Sequence, residues 1–280
     1  MSVKILIDST ADTTEAVRAR CTVVPLTIHF GEEEYIDGVT ITHEQFYEKL
    51  ATSSVLPRTS QPSPDAYARV YEAAKQAGDT LVVLTVSSAL SGTCQSATIA
   101  AQDYPDNVIV VDTMHVANGF GVLAEYALNL LHEGKSAQEI ADAVIAVRED
   151  VQLYALLDTL EYLQKGGRIS KTAAFAGTLL SLKPLVCIKD GALSSMGKAR
   201  GMKQGFQVMK RELEAANIDF DKPFLMGYTG LSDEQVRRFL SDSASIWENS
   251  KTPVRCVPLC SVVGTHAGPG AVVAAFFKKR

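Results

Sequence analysis

Short, nearly continuous apolar runs recur at residues 3–7, 81–86, 108–111 and 153–157. Their length and β-branched content predict strands buried on both faces. A further run at 22–28 carries Pro25, which predicts an edge strand or a bulge. Between the runs, apolar positions return at helical spacing over 42–50, 64–77, 93–104, 116–131 and 136–147. Start signals sharpen several of these helices. Thr42 precedes Gln45, and Ser136 precedes Glu139, at capping-box spacing. Pro64 follows Ser63 at a first helical position. Strand and helix thus alternate through the first half, which predicts a mainly parallel sheet covered on both faces.

The second half has another texture. Residues 161–168 read as a helical turn ended by Gly166 and Gly167, and 172–182 as a helix of small residues and leucine. Runs at 185–188 and 192–197 flank Lys189-Asp190-Gly191, whose Asp-Gly pair predicts a hairpin. A helix over 201–215, a strand over 224–228, a helix over 233–244 and a strand over 254–259 follow. A glycine-rich loop at 264–270 and a last strand at 271–277 complete the pattern. The expected fold class is α/β, with two α/β domains at residues 1–157 and 158–280. The first is built on a mainly parallel sheet and the second on a mixed sheet. Two segments read as irregular. Residues 32–34 read as a small, solvated acidic turn. Residues 51–64 hold three prolines and six Ser/Thr, too many for regular structure. A loop of that kind inside a compact domain is a candidate for function, with Thr59 and Ser60 at its centre.

Composition narrows the class. The 280 residues suit one large domain or two of ordinary size, and at 46% apolar and 21% charged they have an ordinary globular balance with ample material for a core. The net charge of −5 and the lack of a basic run argue against nucleic acid as a partner. No apolar stretch is long enough to span a bilayer. The opening residues read as a strand rather than a signal peptide, so a cytoplasmic location is expected. Five cysteines, at 21, 94, 187, 256 and 260, predict reduced, buried thiols rather than a disulfide framework. Cys256 and Cys260 lack a second pair or a histidine at zinc-finger spacing. Neither a metal nor a cofactor is expected.

The densest candidate chemistry lies at 81–97. The strand there ends in Ser87, Ser88, Ser91 and Thr93 and runs on into a helix. Hydroxyls delivered to a helix N-terminus suit a negatively charged oxygen group. The first N–H groups lack partners, the macrodipole favours negative charge, and hydroxyls rotate to suit a ligand. Ser91 as a plain helix cap is the competing reading. Asp8, at the polar end of the first strand, caps a helix or orients a neighbour. Other motifs fail. Gly134-Lys135-Ser136 ends like a phosphate loop, but Asn129 stands where the first glycine is needed. Gly119, Gly121 and Ala124 fit a dinucleotide spacing but fall inside a helical pattern, where glycine allows close packing or leaves room for a ligand. Ser91 lacks the glycine two residues earlier that a nucleophile elbow needs.

Three stretches together resemble the DegV family. They are Thr59-Ser60-Gln61-Pro62, Ser87-Ser88-Ala89-Leu90-Ser91-Gly92-Thr93 and Gly264-Thr265-His266-Ala267-Gly268-Pro269-Gly270. Asp8-Ser9-Thr10-Ala11-Asp12, Asp37-Gly38 and Lys165-Gly166-Gly167-Arg168 fit as well, so the resemblance spans nearly the whole chain. It implies two α/β domains that hold one long-chain fatty acid between them. It also implies a non-catalytic role, as the fatty-acid-binding subunit of a bacterial fatty acid kinase. A separate kinase subunit then phosphorylates the bound carboxyl with ATP, for phospholipid synthesis. Thr59 and Ser91 match the first carboxylate donors, Ser60 and Ser88 are further ones, and His266 closes the carboxylate end. Arg168 and Arg200 match positions associated with docking the kinase or positioning phosphate, against the plain reading of solvated surface charges. Cys94 stands where many relatives carry an aromatic residue, which implies a wider pocket near the carboxyl end.

Magnitudes divide the labour. A tail of about fourteen methylenes, at roughly 0.8 kcal/mol each, offers about 11 kcal/mol before entropic costs. A hydrogen bond to a charged group offers about 1.5–3 kcal/mol. The tail then dominates affinity and the hydroxyls set orientation. Two other classes stay open: a serine hydrolase or acyltransferase using Ser91 and His266, and a sensor that binds fatty acid without passing it on.

Overall fold

The computed structural model describes residues 2–169, 182–248 and 250–280. The first half runs β1 (Val3–Asp8), α1 (Glu15–Arg18), β2 (Thr22–Val24), β3 (Thr27–Phe30), β4 (Glu33–Ile36), α2 (His43–Thr52), β5 (Arg58–Ser60) and α3 (Pro64–Ala77). It continues with β6 (Thr80–Thr85), α4 (Thr93–Ala101), β7 (Val108–Asp112), α5 (Ala117–His132) and α6 (Ala137–Val147). The second half begins with β8 (Val151–Leu156), α7 (Glu161–Lys165), β9 (Leu182–Lys189), β10 (Ala192–Arg200) and α8 (Gly201–Ala215). It ends with β11 (Leu225–Tyr228), α9 (Glu234–Asp242), α10 (Ala244–Trp247), β12 (Cys256–Pro258), α11 (Ser261–Ala267) and β13 (Val272–Phe277). The helix expected over 172–182 lies outside the described residues, except Leu182, which opens β9.

These elements build two α/β domains. The first sheet has the order β2-β1-β6-β7, and every pairing is parallel. The second has the order β10-β9-β8-β13-β11-β12 and is antiparallel save for the β11–β12 pair. The strand β8 precedes residue 157 in the chain, yet it pairs with β9 and β13 in this second sheet. Both capping boxes form, at Thr42 with Gln45 and at Ser136 with Glu139.

Helix α5 joins the two sheets. Its residues Phe120 and Ala124 share a core with Ile5, Val82 and Leu84 of the first sheet and with Leu225, Ala275 and Phe277 of the second. A helix pressed between two sheets has no wet face, which is why residues 117–124 are all buried. Gly121 explains the glycine spacing here. A Cβ at that position would lie 2.0 Å from the Asp12 carbonyl oxygen, so only glycine lets the helix approach the loop after β1. Tyr67, Tyr71 and Ala97 of α3 and α4 cover the other face of the first sheet. Phe206, Met209 and Phe239 of α8 and α9 cover the far face of the second.

Four expectations change. The run at 22–28 is not one strand. Pro25 separates β2, in the first sheet, from β3, which turns away into a small antiparallel sheet of order β4-β3-β5. Residues 33 and 34, expected in a solvated turn, begin β4. The segment 51–64 is not wholly irregular, because β5 pairs with β3 and sets Thr59 opposite Ile28. Strands of three or four residues hold too few alternations to register as a period. The cysteines are all free, but Cys256 is exposed rather than buried and the others are half-buried.

Candidate functional site

The inner face of the second sheet is small and apolar at its centre. Val186, Ala155, Val273 and Gly227 are successive cross-strand neighbours on β9, β8, β13 and β11. With so little side chain on that row, the elements packed against it leave an apolar cavity. Leu153, Leu157 and Leu193 extend its floor, and Val262, Val263 and Ala267 of α11 form one wall. Val86, Leu90, Val116 and Leu26 close it from the first domain. The polar side chains among the described residues on its lining are Thr10, Thr59, Ser91, Arg168 and His266. An apolar cavity with a few convergent polar groups is the form that small-molecule sites take.

Those polar groups are tied to one another. Thr59 Oγ1 lies 2.9 Å from His266 Nε2. The Nδ1 atom of His266 is buried with no partner. A buried N–H without a partner costs more than a bare lone pair, so the proton belongs on Nε2. His266 then donates to Thr59, and the Thr59 hydroxyl hydrogen is free to point into the cavity. Burial, helped by the charge of Arg168, pushes the His266 pKa down to about 4, so the ring is neutral. Arg168 donates from Nε to the Leu90 carbonyl at 3.2 Å and from one terminal nitrogen to the Gly166 carbonyl at 2.8 Å. That brings its guanidinium beside the Ser91 turn. The KGGR turn makes the approach possible. A Cβ on Gly166 would lie 2.3 Å from His266 Nδ1, and Gly167 takes φ +70°, which turns the chain back towards Arg168.

Ser91 stands one residue before Gly92, the N-cap of α4. Its Oγ accepts from the Thr93 backbone N–H at 3.3 Å and lies 2.8 Å from Thr93 Oγ1. It therefore serves the helix end and lines the cavity at once. Gln61 Nε2 donates to Ser96 Oγ at 2.9 Å, which ties β5 to the same helix. Asp8 accepts from the backbone N–H and hydroxyl of Thr10 and from the Val86 N–H, so it orients a neighbour rather than capping a helix. Burial raises its carboxyl to about 6 despite these donors.

The structure brings Thr59, Ser91, His266 and Arg168 together and sets three other expected residues apart. Ser60 is exposed, with Oγ 2.8 Å from His29 Nε2. Ser88 is exposed, its backbone N–H directed at the Asp112 carboxylate. Arg200 is exposed at the start of α8, where its backbone N–H meets Gln204 Oε1. Cys94 does not line the cavity, so a wider carboxyl end does not follow from it. His266 sits in the last turn of α11, not in the loop expected at 264–270. Thr10 and Gln61 lie within the quoted motifs but were not singled out there as site residues. No group of three or more His, Cys, Asp or Glu able to hold a metal occurs among the described residues. Nor is any described helix long and apolar enough to cross a membrane.

A family model described as "Uncharacterised protein, DegV family" matches residues 2–279. A DegV domain-containing protein of Deinococcus radiodurans is 33% identical over 277 residues, covering 97% of either chain. A solved Thermus thermophilus structure, described as fatty acid binding of a DegV family protein, superposes with a TM-score of 0.87 at 32% identity, covering 99% of this chain and 100% of that one. A structure from Eubacterium ventriosum, described as a fat acid (stearic acid)-binding protein, gives a TM-score of 0.84 at 29% identity and covers 99% of each chain.

Proposed function

The chain belongs to the DegV family, and from that premise we propose that it binds one long-chain fatty acid in the cavity between its sheets. The carboxylate lies at Thr59 and Ser91, with His266 behind Thr59 and Arg168 alongside. The chain presents that carboxylate to a separate ATP-dependent kinase subunit in the cytoplasm, which forms the acyl phosphate. Arg168 and the exposed Arg200 face that partner or its phosphate. The chain itself contributes no catalytic group and no cofactor.

One observation carries this reading: an apolar cavity whose lining polar groups include the linked Thr59–His266 pair, Ser91 and Arg168. A carboxylate taken out of water needs several hydrogen bonds, and hydroxyl donors beside a guanidinium supply them. The Thermus and Eubacterium relatives, described as binding fatty acids, support the ligand class. A hydrolase would need Ser91 bonded to a base that is itself oriented by a third group. Here His266 Nε2 is engaged by Thr59, Ser91 Oγ is engaged by Thr93, and Nδ1 has no partner.

The test is mass spectrometry of protein purified without added lipid, before and after denaturation. A near-stoichiometric fatty acid released on denaturation is the expected result. Incubation with a fatty acid kinase subunit and ATP then converts it to acyl phosphate. A covalent acyl mass that survives denaturation would replace this reading with the acyltransferase. Protein that is empty and takes up no palmitate would end it.

A further inference from the structure

The N-terminal end of α11 is gripped by three side chains that the cavity does not use. The ring nitrogens of His43 face the carbonyl oxygens of Leu259, at 3.0 Å, and Gly230, at 2.9 Å. Asp12 Oδ1 accepts from the Cys260 N–H at 2.7 Å. Asp37 Oδ1 accepts from the Ser261 N–H at 3.2 Å. Three consecutive residues, 259, 260 and 261, thus meet side chains from three separate places in the first domain, the two carboxylates accepting from 260 and 261 and the His43 ring donating to 259 when its proton is on Nδ1. Those places are the turn after β1, the turn after β4 and the first residue of α2.

The grip is costly to the fold, which argues that it serves position. Asp12 and Asp37 are only 4% and 3% exposed. Each keeps one carboxylate oxygen, Oδ2, buried with no partner. Burial pushes both carboxyls above their usual range, and Asp37's charge adds to the rise at Asp12, with Arg18 as the nearby opposing charge. Well-packed apolar residues would stabilise such a seam better than two buried acids. What apolar residues lack is direction. A helix as short as α11 has little stability of its own, so its axis follows whatever holds its first turn. Its last turn carries His266 to Thr59.

We propose that Asp12, Asp37 and His43 form a positioning clamp that sets the orientation of α11 and thereby the His266–Thr59 pair. The purpose assigned to that pair rests on the fatty-acid reading, but the geometry it tests does not.

The experiment follows the imidazole nitrogens of His266 by ¹⁵N NMR, assigned with His266→Gln, in variants at the clamp. Asp12→Asn keeps an acceptor oxygen in place. Asp12→Glu keeps the charge but displaces the acceptor by one methylene, and Asp12→Ala removes it. Asp79→Ala, which breaks contacts with Ser2 and Lys4 away from the cavity, is the control for lost stability. The Asn variant should leave the Nε2 resonance in place. The Glu and Ala variants should move it towards that of free neutral imidazole and weaken palmitate binding about tenfold, the loss of one oriented bond. If the Ala variant does not fold, the contrast between Asn and Glu decides. A resonance unmoved in Asp12→Glu and Asp12→Ala, or moved as far by Asp79→Ala, overturns the clamp. Wild-type protein that takes up no palmitate would sink the fatty-acid reading alone, since the ring resonance is read without ligand.

Discussion

The Thr59 hydroxyl carries one hydrogen, and His266 decides where it points. With the ring proton on Nε2, the histidine is the donor and Thr59 keeps its own hydrogen for the cavity. Ser91 gains the same freedom when Thr93 donates to it. On the proposed reading both hydroxyls would then give to a carboxylate, at about 1.5–3 kcal/mol for each bond, while a buried tail of about fourteen methylenes would give about 11 kcal/mol. Ser91→Ala should therefore still bind palmitate, with a dissociation constant raised roughly tenfold. Acyl-phosphate formation with the kinase subunit should fall far more, because it depends on where the carboxylate points. Displacement titration and a turnover assay separate the two, and unchanged turnover would remove Ser91 from the site. The neutral state of His266 has a further consequence. Its pKa falls from 6.5 to about 4 on folding, so below pH 6.5 the unfolded chain binds a proton that the native chain refuses. Stability from this group is intact above pH 6.5 and is lost as the pH falls towards 4. Between pH 7 and pH 4 the native state should lose up to about 3 kcal/mol more than His266→Gln does. Urea unfolding of both proteins at the two pH values measures that difference, and parallel losses would mean the ring is not buried neutral.

At the scale of elements, short pieces position the site. Helix α7 ends so close to α11 that Gly166→Ala would place a methyl 2.3 Å from His266 Nδ1. The ring must move, at an overpacking cost of about 1–3 kcal/mol. The expected outcome is a lower melting temperature together with weaker palmitate binding. A variant that melts early but binds as wild type would show that the ring's place is immaterial. These short pieces are also where the sequence was least informative. Long periods and caps were legible: the strands at 3–7, 81–86 and 108–111 stand, as do the helices begun by Thr42, Ser63 and Ser136. Thr59 and Ser91 were recognisable from their motifs. That Thr59 lies on a strand, and His266 on a helix, was not. The strand β5 is three residues long, and α11 contains Gly264 beside a Gly-Pro-Gly run that reads as loop. Both elements exist because of partners far along the chain. His266 and Thr59 are 207 residues apart, and Asp12 reaches a backbone group 248 residues away. No local pattern carries such contacts.

At the scale of the molecule, two structural units share the cavity. Its floor comes from the second sheet, its hydroxyls from the turn after β1, from β5 and from the turn before α4, and its histidine from α11. Helix α5 already joins the sheets through one continuous core. A tail lying in the cavity would add apolar contact to both sides at once and nothing to the unfolded chain. Ligand that binds only the native state stabilises it by mass action, at about 2.7 kcal/mol when its concentration is a hundred times the dissociation constant. For a chain of this size that corresponds to a rise in melting temperature of about 5–10 °C. Delipidated protein titrated with palmitate in a calorimeter should show that rise as one transition moving whole, because the ligand touches both sheets. Octanoate should raise it less, since each buried methylene removed costs about 0.8 kcal/mol. Two transitions, of which palmitate moves only one, would place the ligand within a single domain and separate the site from the seam that Thr59 and His266 bridge.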